Sequence, residues 1–296
     1  MLPERITDQA EGLRRLLVRA SARVITVAAA RTGMGASSLV VNLATALAQT
    51  GKNVLVLDEN LSCDNVGNML ALKPRYDLLN AVRRDMLLED VLLHTRQGVH
   101  ILPVARAIQA LPQMSPPERQ CLLECLAGAS RYVDVVLVDA AATEARYISA
   151  SLAPDQPLLV VMNTTASAIT ESYGLIKRMA TQDGRQSFEI VVSKAQNEDE
   201  AQVVFGNVAQ VARRHLQVRV EYLGYIPLDE KLKRATQLCR PIVEVFPASP
   251  AARAFGDLGR NLMLLPAAGN EGTGSLPDVV QRLIRQACSP KMAYAN

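Results

Sequence analysis

The sequence predicts an α/β fold: a doubly wound, mostly parallel sheet with helices on both faces. Three observations predict it. Short runs of β-branched and small apolar residues, such as VITVA at 24–28, YVDVVLVD at 132–139 and EIVVS at 189–193, recur between longer segments of helical periodicity. Strands buried on both faces by crossover helices read this way. Arg23 to Leu47, RVITVAAARTGMGASSLVVNLATAL, reads as a strand, a glycine-bearing turn and a helix, the grammar of a phosphate-binding loop. Two of the runs end in a carboxylate, Asp58 and Asp139, at the carboxyl edge where such sheets place ligands.

Composition bounds the rest. A chain of 296 residues, 49% apolar, suffices for one large α/β domain with short appendages. A net charge of +3 is too mild to imply nucleic acid, and no direct nucleic-acid partner is expected. Five cysteines without a CxxC pair argue for a reducing compartment and against a zinc site or disulfide framework. Cys121 and Cys125, four apart in an apolar stripe, read as core. The first twenty residues carry charges throughout, unlike a signal peptide. No run reaches the roughly 18 apolar residues needed to span a bilayer, so a cytoplasmic protein is expected.

The elements follow in order. Thr7 to Ala20 forms a short helix capped by Thr7 or Asp8, with Ala10, Leu13, Leu16 and Leu17 on one face and Arg14, Arg15 and Arg19 on another. In the loop, Gly33 and Gly35 give the backbone freedom for successive amides to meet one anion, and Ser37 and Ser38 open the helix. NVLVLD at 53–58 is the second strand. Tyr76 to Leu93 has leucines and acids at helical spacing, and HILPVARAIQ at 100–109 carries a strand. A helix over 117–130 leads to the strand ending in Asp139. Leu158 to Met162 and Glu189 to Ser193 are further buried strands, YLGYIPLD at 222–229 a late one, and two helices close the domain over 231–264. PAAGNEGTGS is a linker by composition. Beyond it, residues 277–288 form an amphipathic helix with Val279, Val280, Leu283, Ile284 and Ala287 on one face.

The string RTGMGAS at 31–37 resembles the deviant Walker A motif of the MinD/ParA family, KGGxGK[ST]. Arg31 stands at the signature lysine, Thr32 at the first glycine and Ala36 at the phosphate lysine. DENLSCDN at 58–65 is similar to the family's switch segment DxDLGxxN, with Asn60 in place of the second acid. Ala140 to Ala142 stand where the family senses the γ-phosphate with a threonine, proline and glycine. The resemblance implies ATP or ADP with Mg²⁺ as cofactors. It assigns nucleotide binding to Arg31, Thr32, Gly33, Met34, Gly35, Ala36, Ser37, Ser38 and Pro227, and metal binding to Ser37, Asp58 and Asp139. It also implies that Ser193 replaces an asparagine that reads adenine.

The departures have a direction. A phosphate lysine makes charge-assisted hydrogen bonds of about 1.5 to 3 kcal/mol each, so its loss weakens nucleotide binding by roughly tenfold to several hundredfold. An amide at position 60 cannot accept a proton, so hydrolysis is expected to suffer more than binding.

Asp8, Gln9, Ala10, Leu13 and Arg14 resemble the DQAxxLR motif that precedes the ATPase domain in the FlhG (FleN) branch, the flagellar number regulators of this family. There the segment stimulates a GTPase of the FlhF type. The branch further implies flagellar switch proteins or a flagellar transcription activator as partners, and ATP-driven homodimers. The tail resembles the membrane-targeting helix of MinD-type proteins, with Val280, Leu283 and Ile284 on the inserting face; a tail docked on the body is the other reading. The expected organisation is an arm at 1–22, a MinD-like domain at 23–265, a linker at 266–276 and the tail at 277–296. The protein is expected in the cytoplasm, with contact to the inner face of the membrane. The alternative function is an active ParA/MinD-type ATPase that positions DNA or the division machinery, which intact KGGxGK and DxD strings would favour.

Overall fold

The computed structural model describes residues 22–62, 65–140 and 156–265, and beyond them 276, 280–282 and 284–285. β1 (Arg23–Ala29) runs through the loop into α1 (Ala36–Gln49). Ten of the fourteen residues of α1 are buried, because its apolar residues ring the helix instead of forming a stripe, as befits a helix at the centre of a domain. β2 (Val54–Asp58) follows, then α2 (Val66–Met69), capped by Asn65, whose side chain accepts from the Asn68 amide at 2.8 Å.

The helical spacing of 76–93 resolves into two short helices, α3 (Leu78–Val82) and α4 (Leu88–Val91). Arg84, at φ 64°, takes the left-handed conformation between them, which a continuing helix cannot contain. β3 (Leu93–His94), β4 (Val99–Pro103) and α5 (Ala105–Ala110) come next. α6 (Pro116–Ala129) starts with a capping box between Ser115 and Glu118 and proline in its first turn. It leads to β5 (Val135–Asp139).

After β6 (Leu158–Asn163) come α7 (Ala166–Gln182), β7 (Ser187–Ala195), α8 (Glu198–Leu216) and β8 (Arg219–Pro227). Among the described residues, three helices close the domain where two were expected: α9 (Glu230–Gln237), α10 (Ile242–Val245) and α11 (Pro250–Leu264). Pro241 caps α10 and Pro250 opens α11, so each proline restarts a helix that it could not have continued.

The sheet order is β3-β4-β2-β5-β1-β6-β7-β8, parallel except for the β3–β4 edge. Alternate residues of each strand enter opposite layers. Ile25 and Val27 pack with α1, α10 and α11, Phe255 and Leu258 among them. On the other face, Leu55, Leu57, Leu102, Val136 and Val138 lie under α3, α5 and α6, while Leu158, Val160, Phe188 and Ile190 lie under α7 and α8.

Three described residues near the C-terminus join this second layer. Leu276 and Val280 are buried and Ile284 is half-buried in the cluster beneath α3, α5 and α6. Their spacing of four puts them on one helical face. Val280 and Ile284, assigned from sequence to a membrane surface, therefore sit on the protein body: burial against the helices removes from water the same apolar area that a bilayer would have taken. Leu276, assigned from sequence to the linker, thus packs with the tail; Leu283, residues 266–275 of the linker and Ala141–Ala142 lie outside the described residues, as do Asp8, Gln9, Ala10, Leu13 and Arg14 of the arm. Among the described residues no helix is long and apolar enough to cross a membrane.

Candidate functional site

The carboxyl ends of β1, β2, β5, β7 and β8 converge on the loop that joins β1 to α1. Gly33 and Gly35 have φ of 81° and 105°, values that a side chain would strain. Gly35 caps α1 without a side-chain hydrogen bond, which leaves the first amides of a fourteen-residue helix for an anion. The loop is clamped from β7. Ser193 Oγ donates to the Met34 carbonyl at 2.9 Å, and Lys194 Nζ donates to the Gly33 carbonyl at 3.2 Å.

Beneath the loop lie two carboxylates. Parallel pairing sets Asp58 of β2 beside Asp139 of β5. Ser37 Oγ donates to Asp139 Oδ2 at 2.7 Å, and Asn60 Nδ2 donates to Ser37 Oγ at 3.2 Å. Asp58 accepts from the amides of Asn60 at 3.0 Å and Gly67 at 3.3 Å. Burial pushes the Asp139 carboxyl up to about 8, helped by the negative charge of Asp58 and opposed by Ser37 and Asn60. Burial likewise raises Asp58 to about 6, against the pull of its backbone donors.

Asp139 Oδ1 is buried without a hydrogen bond. A lone buried carboxylate oxygen beside a hydroxyl and a second carboxylate is a hard oxygen set, and these residues fit Mg²⁺. Ser37 and Asp139 would hold it, with Asp58 adding charge. Such an ion would neutralise phosphate charge on a bound nucleotide.

Above the loop opens a cavity of about 530 Å³, within the usual range for a small-molecule site. Arg31, Thr32, Gly33, Gly35, Ala36, Ser37, Ser38 and Pro227 all line it. Met34 does not. Its side chain is fully buried in the core, so only its backbone serves the loop. Arg31 Nε donates to Glu171 Oε2 of α7 at 2.7 Å, in an exposed pair. Ser193, expected at the base, has its hydroxyl engaged with the loop. Lys194 and the Asn60–Ser37 contact were missed because each joins residues far apart in the chain; only the strand ends themselves could have hinted at them.

The profile of the CobQ/CobB/MinD/ParA nucleotide binding domain family matches residues 25–242. The chain belongs to the MinD/ParA family. Within the family it is of the FleN/FlhG type, being 32% identical over 263 residues to the antiactivator FleN of Pseudomonas aeruginosa, across 89% of this chain and 94% of that protein. It is 22% identical over 217 residues to the flagellum site-determining protein YlxH of Helicobacter pylori, across 73% of each. The septum site-determining protein MinD of Pyrococcus horikoshii, solved in complex with Mg-ADP, superposes with a TM-score of 0.63 at 22% identity, covering 82% of this chain and 97% of that one. The nucleotide binding domain matched over residues 25–242 includes the loop and most of the residues that line the cavity.

Proposed function

We propose that the protein is a cytoplasmic, MinD-like regulator of flagellar number or placement that binds ATP or ADP with Mg²⁺ weakly and turns it over negligibly. The observation that carries this reading is the 32% identity to the antiactivator FleN along 89% of the chain, joined to a loop whose phosphate lysine is Ala36. The amides of the loop and Pro227 hold the nucleotide, and Ser37, Asp58 and Asp139 serve the metal. With no lysine in the loop where phosphoryl charge moves, and an amide at Asn60 instead of an acid, binding outlasts hydrolysis.

The regulator acts through contacts. Asp8, Gln9, Ala10, Leu13 and Arg14 engage an FlhF-type GTPase, to which a glutamine can offer orientation of the attacking water and an arginine stabilisation of phosphate charge. A flagellar transcription activator or the switch proteins are the further partners, and a homodimer is the nucleotide-bound form. Contact with the inner face of the membrane requires release of the tail, since Val280 is buried against the body.

Cells lacking the protein should show altered flagellar number or position by electron microscopy, restored by the wild-type chain and by a Ser37→Ala variant that cannot use the metal. Unchanged flagella in the deletion would overturn the reading; failure of the variant alone would show that metal-assisted nucleotide binding is required for the function.

A further inference from the structure

The loop lacks its lysine, yet a lysine stands over it. Lys194 belongs to β7, 161 residues from its hydrogen-bond partner Gly33. It owes its position to a bulge. Ser193 pairs with Ile226 and Ala195 with Pro227, which are consecutive in β8, so Lys194 is the extra residue on its strand. Bulges re-aim a side chain beside a functional site. Here Ser193 and Ala195 are both buried while Lys194 between them is exposed, and its φ of 59° is the left-handed conformation that a lysine seldom adopts. The strained residue thus turns its amine onto the loop and into the lining of the cavity.

We infer that Lys194 supplies from β7 of the same chain the phosphate cation that Ala36 lacks, contacting the phosphate groups of a bound adenine nucleotide. This rests on the reading of the cavity as a nucleotide site. The other cations are placed otherwise: Arg31 is paired with Glu171, and Lys233 lines the wall built by α9. An ammonium has three donors on a flexible stem. Lys194 can keep the Gly33 carbonyl and still donate to a phosphate oxygen, where both partners carry charge and the bond is stronger than the one to a neutral carbonyl.

The test is a titration of the full-length protein with a fluorescent ATP analogue at fixed Mg²⁺. Lys194→Met should weaken binding about tenfold to a hundredfold, Lys194→Arg should retain most of the affinity, and adding Ala36→Lys to Lys194→Met should restore it. Lys194→Gln separates charge from support of the loop, because its amide can still donate to the Gly33 carbonyl but carries no charge. It should bind as weakly as the methionine variant. Wild-type affinity in Lys194→Gln, or in Lys194→Met, overturns the role of Lys194 while leaving the nucleotide site in place. No binding by the wild type at millimolar ATP overturns both.

Discussion

Asp139 binds a proton in the folded protein at pH values where the unfolded chain has released it, since its carboxyl rises from 3.8 to about 8. Folding therefore takes up protons, and this residue's contribution to stability falls as pH rises from about 4 to 8, then levels off. Asp139→Asn removes the titration. Relative to the wild type, the variant should gain in thermal midpoint as pH is raised from about 5 to about 8.5 in metal-free buffer. A difference between the two that does not vary with pH would contradict the burial assigned to Asp139. At Ala36, restoring the lysine should tighten nucleotide binding by about tenfold or more yet leave phosphate release slow, because Asn60 and Ala140 are unchanged. Full ATPase activity in Ala36→Lys would mean that the switch residues are not impaired. Position 36 can be compared with a motif from the sequence alone because the loop is seven consecutive residues. Lys194 could not, since its meaning depends on a one-residue bulge in a parallel pair that no local pattern records.

The helical elements divide by the same logic. Strands buried on both faces announce themselves as apolar runs, and β1, β2, β5, β6 and β7 were all legible. The segment 76–93 was legible as helical but not as two helices, because a single left-handed residue, Arg84, breaks it. The tail shows the limit of amphipathicity: an apolar face is evidence that something covers it and says nothing of whether lipid or protein does so. Val280→Glu should undock the tail, because the buried valine contributes about 1.5 to 3 kcal/mol and a carboxylate there has no partner. Trypsin cleavage in the tail should speed up by about tenfold to a hundredfold, with the core intact. An unchanged rate would show that Val280 does not hold the tail. For the arm, a peptide of residues 2–20 should accelerate GTP hydrolysis by the FlhF-type GTPase of the same cell, and Gln9→Ala should blunt the effect. An inert peptide beside an active full-length protein would move the activating residues to the α/β body.

At the scale of the whole molecule, the doubly wound class could be read before any element boundary was right, because alternation of strand and helix depends on period and not on exact ends. The strand order could not. Nothing local tells β1 that its neighbours are β5 and β6 instead of β2.

That order has a consequence for biosynthesis. Arg23 pairs with Val135 and Thr26 with Leu158, so the strand that carries the nucleotide loop leaves the ribosome early and waits for partners more than a hundred residues behind it. β2 and β4 can join sooner, since Val54 pairs with Val99. Loop-closure entropy makes the β1 contacts late ones, and until they form β1 has two open edges, the geometry that invites pairing between nascent chains. A fragment ending at Ser130 should therefore aggregate, whereas one ending at Leu265 should stay monodisperse. A chain stalled before Leu158 thus carries the loop on a strand that still lacks its β6 neighbour, while β8 closes the sheet last of all.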